Sequence, residues 1–354
     1  MTEKIDFYSM SQEELSEWFS SIGEPRFRAK QFFTWLHTGT PVSEMSNLSK
    51  KLREKIEESM LDTLPKVELK LVSKIDGTVK YLFKLFDGAC IESVFMKYKH
   101  GNTLCISSQV GCLMGCKFCA STIGGKSRDL YPSELLGQII AAERDSGERI
   151  SNIVMMGIGE PLDNFKNVVK FLTLLGDTDG LNIGYRHISL STCGIVPKIL
   201  ELAEYNFPIT LSISLHASND DKRCEIMPIN KKWNIKELLS ACVSYYKKTG
   251  RRISFEYTLI SGKNDSMKDA DELSALLKTA FRGTGAPIHV NLIRVNEVKE
   301  TGFKEGSRES ADAFAKRLEA SGLVATVRRR LGSDVNAACG QLRRASINKS
   351  EDLT

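Results

Sequence analysis

Thr103-Leu-Cys-Ile-Ser-Ser-Gln-Val-Gly-Cys112-Leu-Met-Gly-Cys116-Lys-Phe-Cys119 decides how this chain is read. Leu104–Ser108 has the character of a short buried strand, and the loop after it carries Cys112, Cys116 and Cys119 at the spacing C-x3-C-x2-C. A 4Fe-4S cluster ordinarily takes four cysteines, so three thiolates on one loop leave one iron open. An open iron can bind a small molecule and pass it an electron, which points to chemistry rather than electron storage. The competing metal is zinc, whose closed structural sites take four ligands. His100 and His187, the nearest histidine candidates, do not stand at a zinc-motif spacing.

Strand and helix patterns alternate outward from that loop. Strand candidates are Leu104–Ser108, Ile153–Met156, His187–Ser191, Ile209–Leu215, Ile253–Ile260, His289–Val295 and Val324–Arg328. Helical patterns fall around 133–146, 164–175, 195–205, 234–248, 268–281 and 309–321. Such a series implies an α/β fold, a parallel sheet flanked by helices. Right-handed crossovers curve it into a partial or complete (β/α) barrel. Chemistry in that architecture sits at the C-terminal strand ends. The cysteine loop follows the first strand, and Gly159-Glu160, Ser191-Thr192, Leu215-His216 and Asn296 fall at or just after later ends.

Residues 1–63 read instead as a small helical domain. Ser11-Gln-Glu-Glu14 is a capping box ahead of Leu15, Trp18, Phe19 and Ile22, and Gly23 and Pro25 end that helix. A second helix sets Phe27, Phe32, Trp35 and Leu36 against Arg26, Arg28 and Lys30; a third interleaves Leu52, Ile56 and Met60 with Lys50, Lys51, Arg53 and Lys55. The basic side is either a solvated face or a nucleic-acid contact. Residues 64–99 alternate apolar and polar around a turn at Asp76-Gly77, giving linking hairpin strands. The barrel domain is expected over 100–344, with a polar, mobile tail at 345–354.

At 354 residues, 42% hydrophobic and 26% charged, the chain reads as soluble and globular. No apolar run approaches the ~18 residues of a membrane span, and the opening residues lack a secretory apolar segment, so a cytoplasmic location is expected. The nine cysteines suit metal or catalytic roles better than a disulfide scaffold.

With aromatic Phe118 before its last cysteine, the loop is similar to that of the radical S-adenosylmethionine (SAM) superfamily. More narrowly, Cys105-Ile-Ser-Ser-Gln-Val-Gly-Cys112, Gly157-Ile-Gly-Glu-Pro-Leu162, Ser214-Leu-His216, Met227-Pro-Ile-Asn230 and Ala338-Cys-Gly-Gln-Leu342 together resemble the RlmN-type methyltransferases. The likeness runs from Phe27-Arg-Ala-Lys30 to Leu342. It implies methylation of C2 of an adenosine in 23S rRNA, at the peptidyl transferase centre, and in tRNAs, 3′ of the anticodon. It also implies a 4Fe-4S cluster on Cys112, Cys116 and Cys119, and two SAM molecules per turnover. SAM would chelate the open iron and split to a 5′-deoxyadenosyl radical. Gly159, Glu160, Ser191, Ser214, His216 and Asn296 match the family's SAM contacts. Taken singly, each could be an ordinary turn or strand-end residue.

The resemblance gives Cys105 and Cys339 paired roles, although each alone reads as a buried structural cysteine. An adenine ring carbon has no lone pair with which to take a methyl group directly. One SAM would therefore methylate Cys339, a second would yield the radical that activates this methyl, and the carbon would add to the base. Cys105 would free the product by attacking the Cys339 sulfur, leaving a transient disulfide of the kind cytosolic proteins use. Glu92 matches the family's proton acceptor; otherwise it would be a glutamate on an exposed strand face. Cys90, Cys193, Cys224 and Cys242 read as packing residues. Arg328, Arg329 and Arg330, with Arg343 and Arg344, are either a solvated edge or phosphate contacts beside the Cys339 loop. Pro161 resembles the C2 branch, whereas Arg294 resembles the branch that methylates C8 and confers antibiotic resistance. A non-catalytic iron–sulfur RNA-binding protein is the reading from another class. A flavodoxin-like electron donor and a monomeric state are expected.

Overall fold

The computed structural model describes residues 4–296 and 302–335. It begins with three helices, α1 (Gln12–Ser21), α2 (Phe27–His37) and α3 (Lys50–Ser59). Ser11 and Glu14 close the expected reciprocal cap on α1. The apolar faces of these helices do not wrap a core of their own. Phe7, Phe19, Phe32 and Leu52 belong to the same buried cluster as the central sheet. Asp6 accepts a hydrogen bond from Ser133 Oγ at 2.7 Å, and Lys30 pairs with Asp179 at 3.0 Å. Arg28 donates to the Asn47 carbonyl at 2.7 Å. Part of the basic side thus serves the fold.

β1 (Lys66–Val72), β2 (Val79–Lys84) and β3 (Cys90–Tyr98) run antiparallel, and β3 pairs antiparallel with β4 (Gly101–Cys105). The strands within 64–99 therefore continue directly into the main sheet. Next comes a separate two-stranded ribbon, β5 (Gln109–Gly111) and β6 (Lys126–Asp129), which carries the cysteine loop at its tip. Gly111 has φ +85°, and a Cβ there would lie 2.0 Å from the Gly125 carbonyl oxygen, so this ribbon closes only with glycine.

From here strands and helices alternate: α4 (Pro132–Ser146), β7 (Asn152–Met155), α5 (Phe165–Leu175), β8 (Ile188–Thr192), α6 (Val196–Glu204), β9 (Thr210–Ser214), α7 (Asp220–Ile226) and α8 (Ile235–Thr249). β10 (Ile253–Leu259), α9 (Met267–Ala280), β11 (Ile288–Arg294), α10 (Arg308–Ala320) and β12 (Val324–Val327) complete the series. The main sheet has ten strands in the order β1-β2-β3-β4-β7-β8-β9-β10-β11-β12, parallel from β4 onward. It is an open, partial barrel with β1 and β12 at its edges. The chain beyond β12 bridges those edges: Ser73 Oγ and the Lys74 amide donate to the Asp334 carboxylate at 2.6 and 2.9 Å, and the Gly332 amide donates to Asp76 at 2.9 Å.

One continuous core predicts one cooperative unit. Phe32→Ala, which cuts a ring with no exposed surface, should cost about 3–5 kcal/mol and lower the urea midpoint of helical module and barrel together. Two separated transitions, by fluorescence and circular dichroism, would contradict the shared core.

Candidate active site

The C-terminal strand ends and the β5–β6 loop enclose a cavity of about 250 Å³. Cys112, Cys116 and Cys119 line it, together with Gly159, Glu160, Ser191, Ser214, His216 and Asn296, the residues that the sequence placed on strand ends. Phe118 sits edge-on to His216, ring centroids 4.9 Å apart. Burial pushes the Cys112 thiol up to about 12 and raises Cys116 as well, so a bound cation is what would make them thiolates at neutral pH. Among the described residues, no three His, Cys, Asp or Glu side chains form a group that could hold a single metal ion.

Backbone geometry fixes the Gly-Glu turn after β7. Gly159 has φ +107°, and a Cβ there would meet the Gln109 amide nitrogen at 2.7 Å. Gln109 accepts the Glu160 amide at 2.9 Å, holding the turn against β5. Glu160 is itself anchored: its carboxylate accepts the Leu162 amide at 3.0 Å and the Cys193 amide at 2.7 Å. A carboxylate offers about four lone-pair sites, and the Thr192 hydroxyl and Cys193 thiol also donate to this one, so a ligand ammonium would share its oxygens with these donors. Burial raises its pKa against these donors.

His216 follows β9 in the left-handed region, φ +56°. Its Nδ1 accepts the Thr258 amide at 2.9 Å, which places the ring proton on Nε2. Burial, reinforced by Arg223, pushes the imidazole down to about 3, so the ring is neutral and a donor. Arg223 itself escaped the sequence reading. It has no exposed surface and donates to the carbonyls of Leu215 (3.1 Å), Ser214 (3.0 Å) and Cys193 (2.7 Å), and to Asn230 Oδ1 (2.8 Å).

Glu92 is not on an exposed face. It is buried and paired with Lys80, equally buried, at 3.1 Å. Neither alternation nor charge pattern signals that pairing, because Lys80 and Glu92 lie on different strands and meet diagonally across the β2–β3 register. Glu92 shares a face of β3 with Val94, the register partner of Cys105. Cys105 packs with Val94, Met96, Met156 and Leu331, and Met156 also lines the cavity. Cys339, Arg343 and Arg344 lie outside the described residues. Arg328 borders the cavity, whereas Arg330 and Arg294 both pair with Glu305, at 2.9 and 3.2 Å. Of the cysteines read as packing residues, Cys242 is core, but Cys193 lines the cavity.

Residues 106–273 match the model of the radical SAM superfamily, and residues 5–61 match that of the ribosomal RNA large subunit methyltransferase N-terminal domain. The chain is 54% identical over 340 residues to a probable dual-specificity RNA methyltransferase RlmN of Clostridium botulinum, covering 96% of each. It belongs to the RlmN family of radical SAM methyltransferases. A second relative of the same description, from Lachnoclostridium phytofermentans, is 51% identical over 99% of this chain and 97% of its own. A crystal structure of a radical SAM methyltransferase from Sphaerobacter thermophilus superposes with TM-score 0.89 at 40% identity, covering 95% of this chain and 98% of that one. Family membership implies a 4Fe-4S cluster and SAM. No helix among the described residues is long and apolar enough to cross a membrane.

The buried histidines give a pH signature. His37 and His216 take up a proton near 6.5 when unfolded but resist to about 4 and 3 when folded. The unfolded chain binds more protons in that window, so stability falls as pH drops below 6.5. His216→Gln should flatten the slope of urea midpoint against pH between 5 and 7; an unchanged slope would contradict the buried neutral ring.

Proposed function

We propose that this enzyme methylates C2 of an adenosine in 23S rRNA and in tRNA, using Cys339 as methyl carrier. The observation that carries the reading is the single cavity in which the three loop cysteines meet Gly159, Glu160, Ser191, Ser214, His216 and Asn296. Both botulinum and phytofermentans relatives are described as dual-specificity RNA methyltransferases. The N-terminal helical module and the cations near Cys339 are the proposed RNA contacts; a flavodoxin is the proposed electron donor.

Cys112, Cys116 and Cys119 would hold the cluster, with one iron left to SAM. When bound, cluster and SAM supply a 5′-deoxyadenosyl radical by one-electron cleavage of the sulfonium. The Gly159 turn lets the backbone approach the ligand, and Glu160 accepts hydrogen bonds from its ammonium group. His216 presents a neutral N–H. Cys339 accepts a methyl group from one SAM as a thioether and, after hydrogen removal from that methyl, carries the carbon onto the ring. Glu92, paired with Lys80 at 3.1 Å, takes the ring-carbon proton, and the unpaired electron left on the adduct would pass back to the bound cluster. Cys105 then attacks the Cys339 sulfur: the S–S bond forms, the S–C bond breaks, and its electron pair stays on the former methyl carbon, which takes up the proton that the Cys105 thiol gives up and so completes the methylated base. Leu331 packs in the Cys105 cluster, and Asp334 pins the chain to the β1–β2 turn just before the Cys339 segment, which supports the pairing.

C8 is the alternative target suggested by Arg294. Its guanidinium is paired with Glu305, an interaction that explains the residue without reference to the base, and C2 is retained.

Anaerobic incubation with SAM and dithionite should yield 5′-deoxyadenosine; none would sink the radical assignment in favour of a non-catalytic iron–sulfur protein. Cys339→Ala should abolish RNA methylation, and retained turnover would refute the methyl-cysteine route. Cys105→Ala should accumulate a covalent protein–RNA adduct on denaturing gels; free methylated RNA alone would remove it from product release.

A further inference from the structure

The cavity at the strand ends adjoins another. A second space of about 400 Å³ fills the lower half of the barrel, and Met156, Glu256 and Arg328 border both. Barrels of this kind usually fill that volume with branched apolar side chains. Here Ser189, Thr210, Ser212, Ser254, His289 and Asn291 line it.

Glu256 stands at the junction, 3% exposed. Ser254 Oγ donates to its Oε1 at 3.0 Å and Asn291 Nδ2 to its Oε2 at 2.6 Å. The bonds continue downward: Ser254 Oγ lies 3.0 Å from His289 Nδ1, and His289 Nε2 lies 3.0 Å from Thr326 Oγ1, which is exposed. Register sets up the first step, because Ser254 pairs with His289, and His289 then reaches diagonally to Thr326, two residues past its own partner Val324. Carboxylate, hydroxyl, imidazole and hydroxyl thus form one file from the upper cavity to solvent at the lower mouth.

We infer that Glu256, Ser254, His289 and Thr326 are a proton path that drains the upper cavity through the bottom of the barrel. The source of the proton rests on the function proposed above. Alkylation of a cysteine thiol by SAM forms an S–C bond, breaks the sulfonium S–C bond and releases the thiol proton. Glu256 accepts it. The Glu256 O–H then donates to Ser254 Oγ, the Ser254 proton moves to His289 Nδ1, and Nε2 gives up its own proton by way of Thr326 to water, so one proton enters and one leaves. Burial raises the carboxyl toward the range where it can both take and give a proton, against the pull of Asn291 and Arg328. Burial and Arg252 lower His289, keeping it neutral between transfers. The other charged or titratable groups around the lower space are Tyr98, His100, Arg186 and His187.

Two measurements on the full-length protein test this. In the first, methyl loading from SAM without RNA or reductant is followed by intact mass from pH 6 to 9. Glu256→Gln should slow loading by about 100-fold, and Ser254→Ala, which spares the carboxylate, should slow it less and shift the pH profile while SAM affinity holds. In the second, carbon NMR of labelled glutamate should show the Glu256 titration midpoint moving in Ser254→Ala and in His289→Gln. Wild-type loading rates in both loading variants, or a Glu256 midpoint indifferent to both changes, overturns the path. A wild-type protein that takes no methyl group while its Glu256 midpoint still follows Ser254 and His289 overturns the methyl-cysteine reading and supports the path.

Discussion

A guanidinium with no exposed surface ties the reactive rim together. Arg223 reaches back from α7 to the carbonyls of Cys193, Ser214 and Leu215, which end two neighbouring strands. Inside the barrel a buried carbonyl left without a hydrogen bond costs about 1–3 kcal/mol. Asn230 accepts from the same guanidinium and donates to Asp220 at 2.8 Å, so the Met227-Pro-Ile-Asn230 segment is locked to α7. Burial lowers the arginine pKa, yet a guanidinium keeps its charge in proteins. The rim therefore carries a fixed cation beside Cys116 and His216, and this charge helps keep His216 neutral.

Order at the rim makes a small cavity from distant parts of the chain. The cysteines come from a ribbon that is not part of the main sheet, and the remaining cavity residues come from successive strand ends. Gln109 joins the two: it accepts the Glu160 amide and donates to Asp129 and Asp163, each at 2.8 Å. A misplaced ribbon would thus disturb both the thiols and the Gly159 turn. The fold spends polar side chains on holding this junction, and the apolar core lies outside the barrel wall, shared with the helical module.

Much of this was legible in sequence. Alternating periodicity located the parallel strands and their helices to within a few residues, because buried strands and amphipathic helices leave local patterns. The cavity cysteines were legible from their spacing, and the other named cavity residues because each falls at or just after a strand end. Less visible were contacts set by register across the sheet. Lys80 beside Glu92, Arg223 under three carbonyls and Glu256 between two cavities are charged residues buried by partners distant in sequence, and no local window records that. The sequence left partial and complete barrels open, since both share one strand pattern; the Asp334 contacts with the β1–β2 turn reveal how the edges approach.

The central claim is that this cavity delivers a methyl group to C2 of adenosine. Mass spectrometry of rRNA and tRNA nucleosides from cells with and without the gene tests it most directly. The account predicts 2-methyladenosine in 23S rRNA and tRNA that disappears when the gene is removed and returns with it. Unchanged 2-methyladenosine, or loss of an 8-methyl product instead, would contradict it.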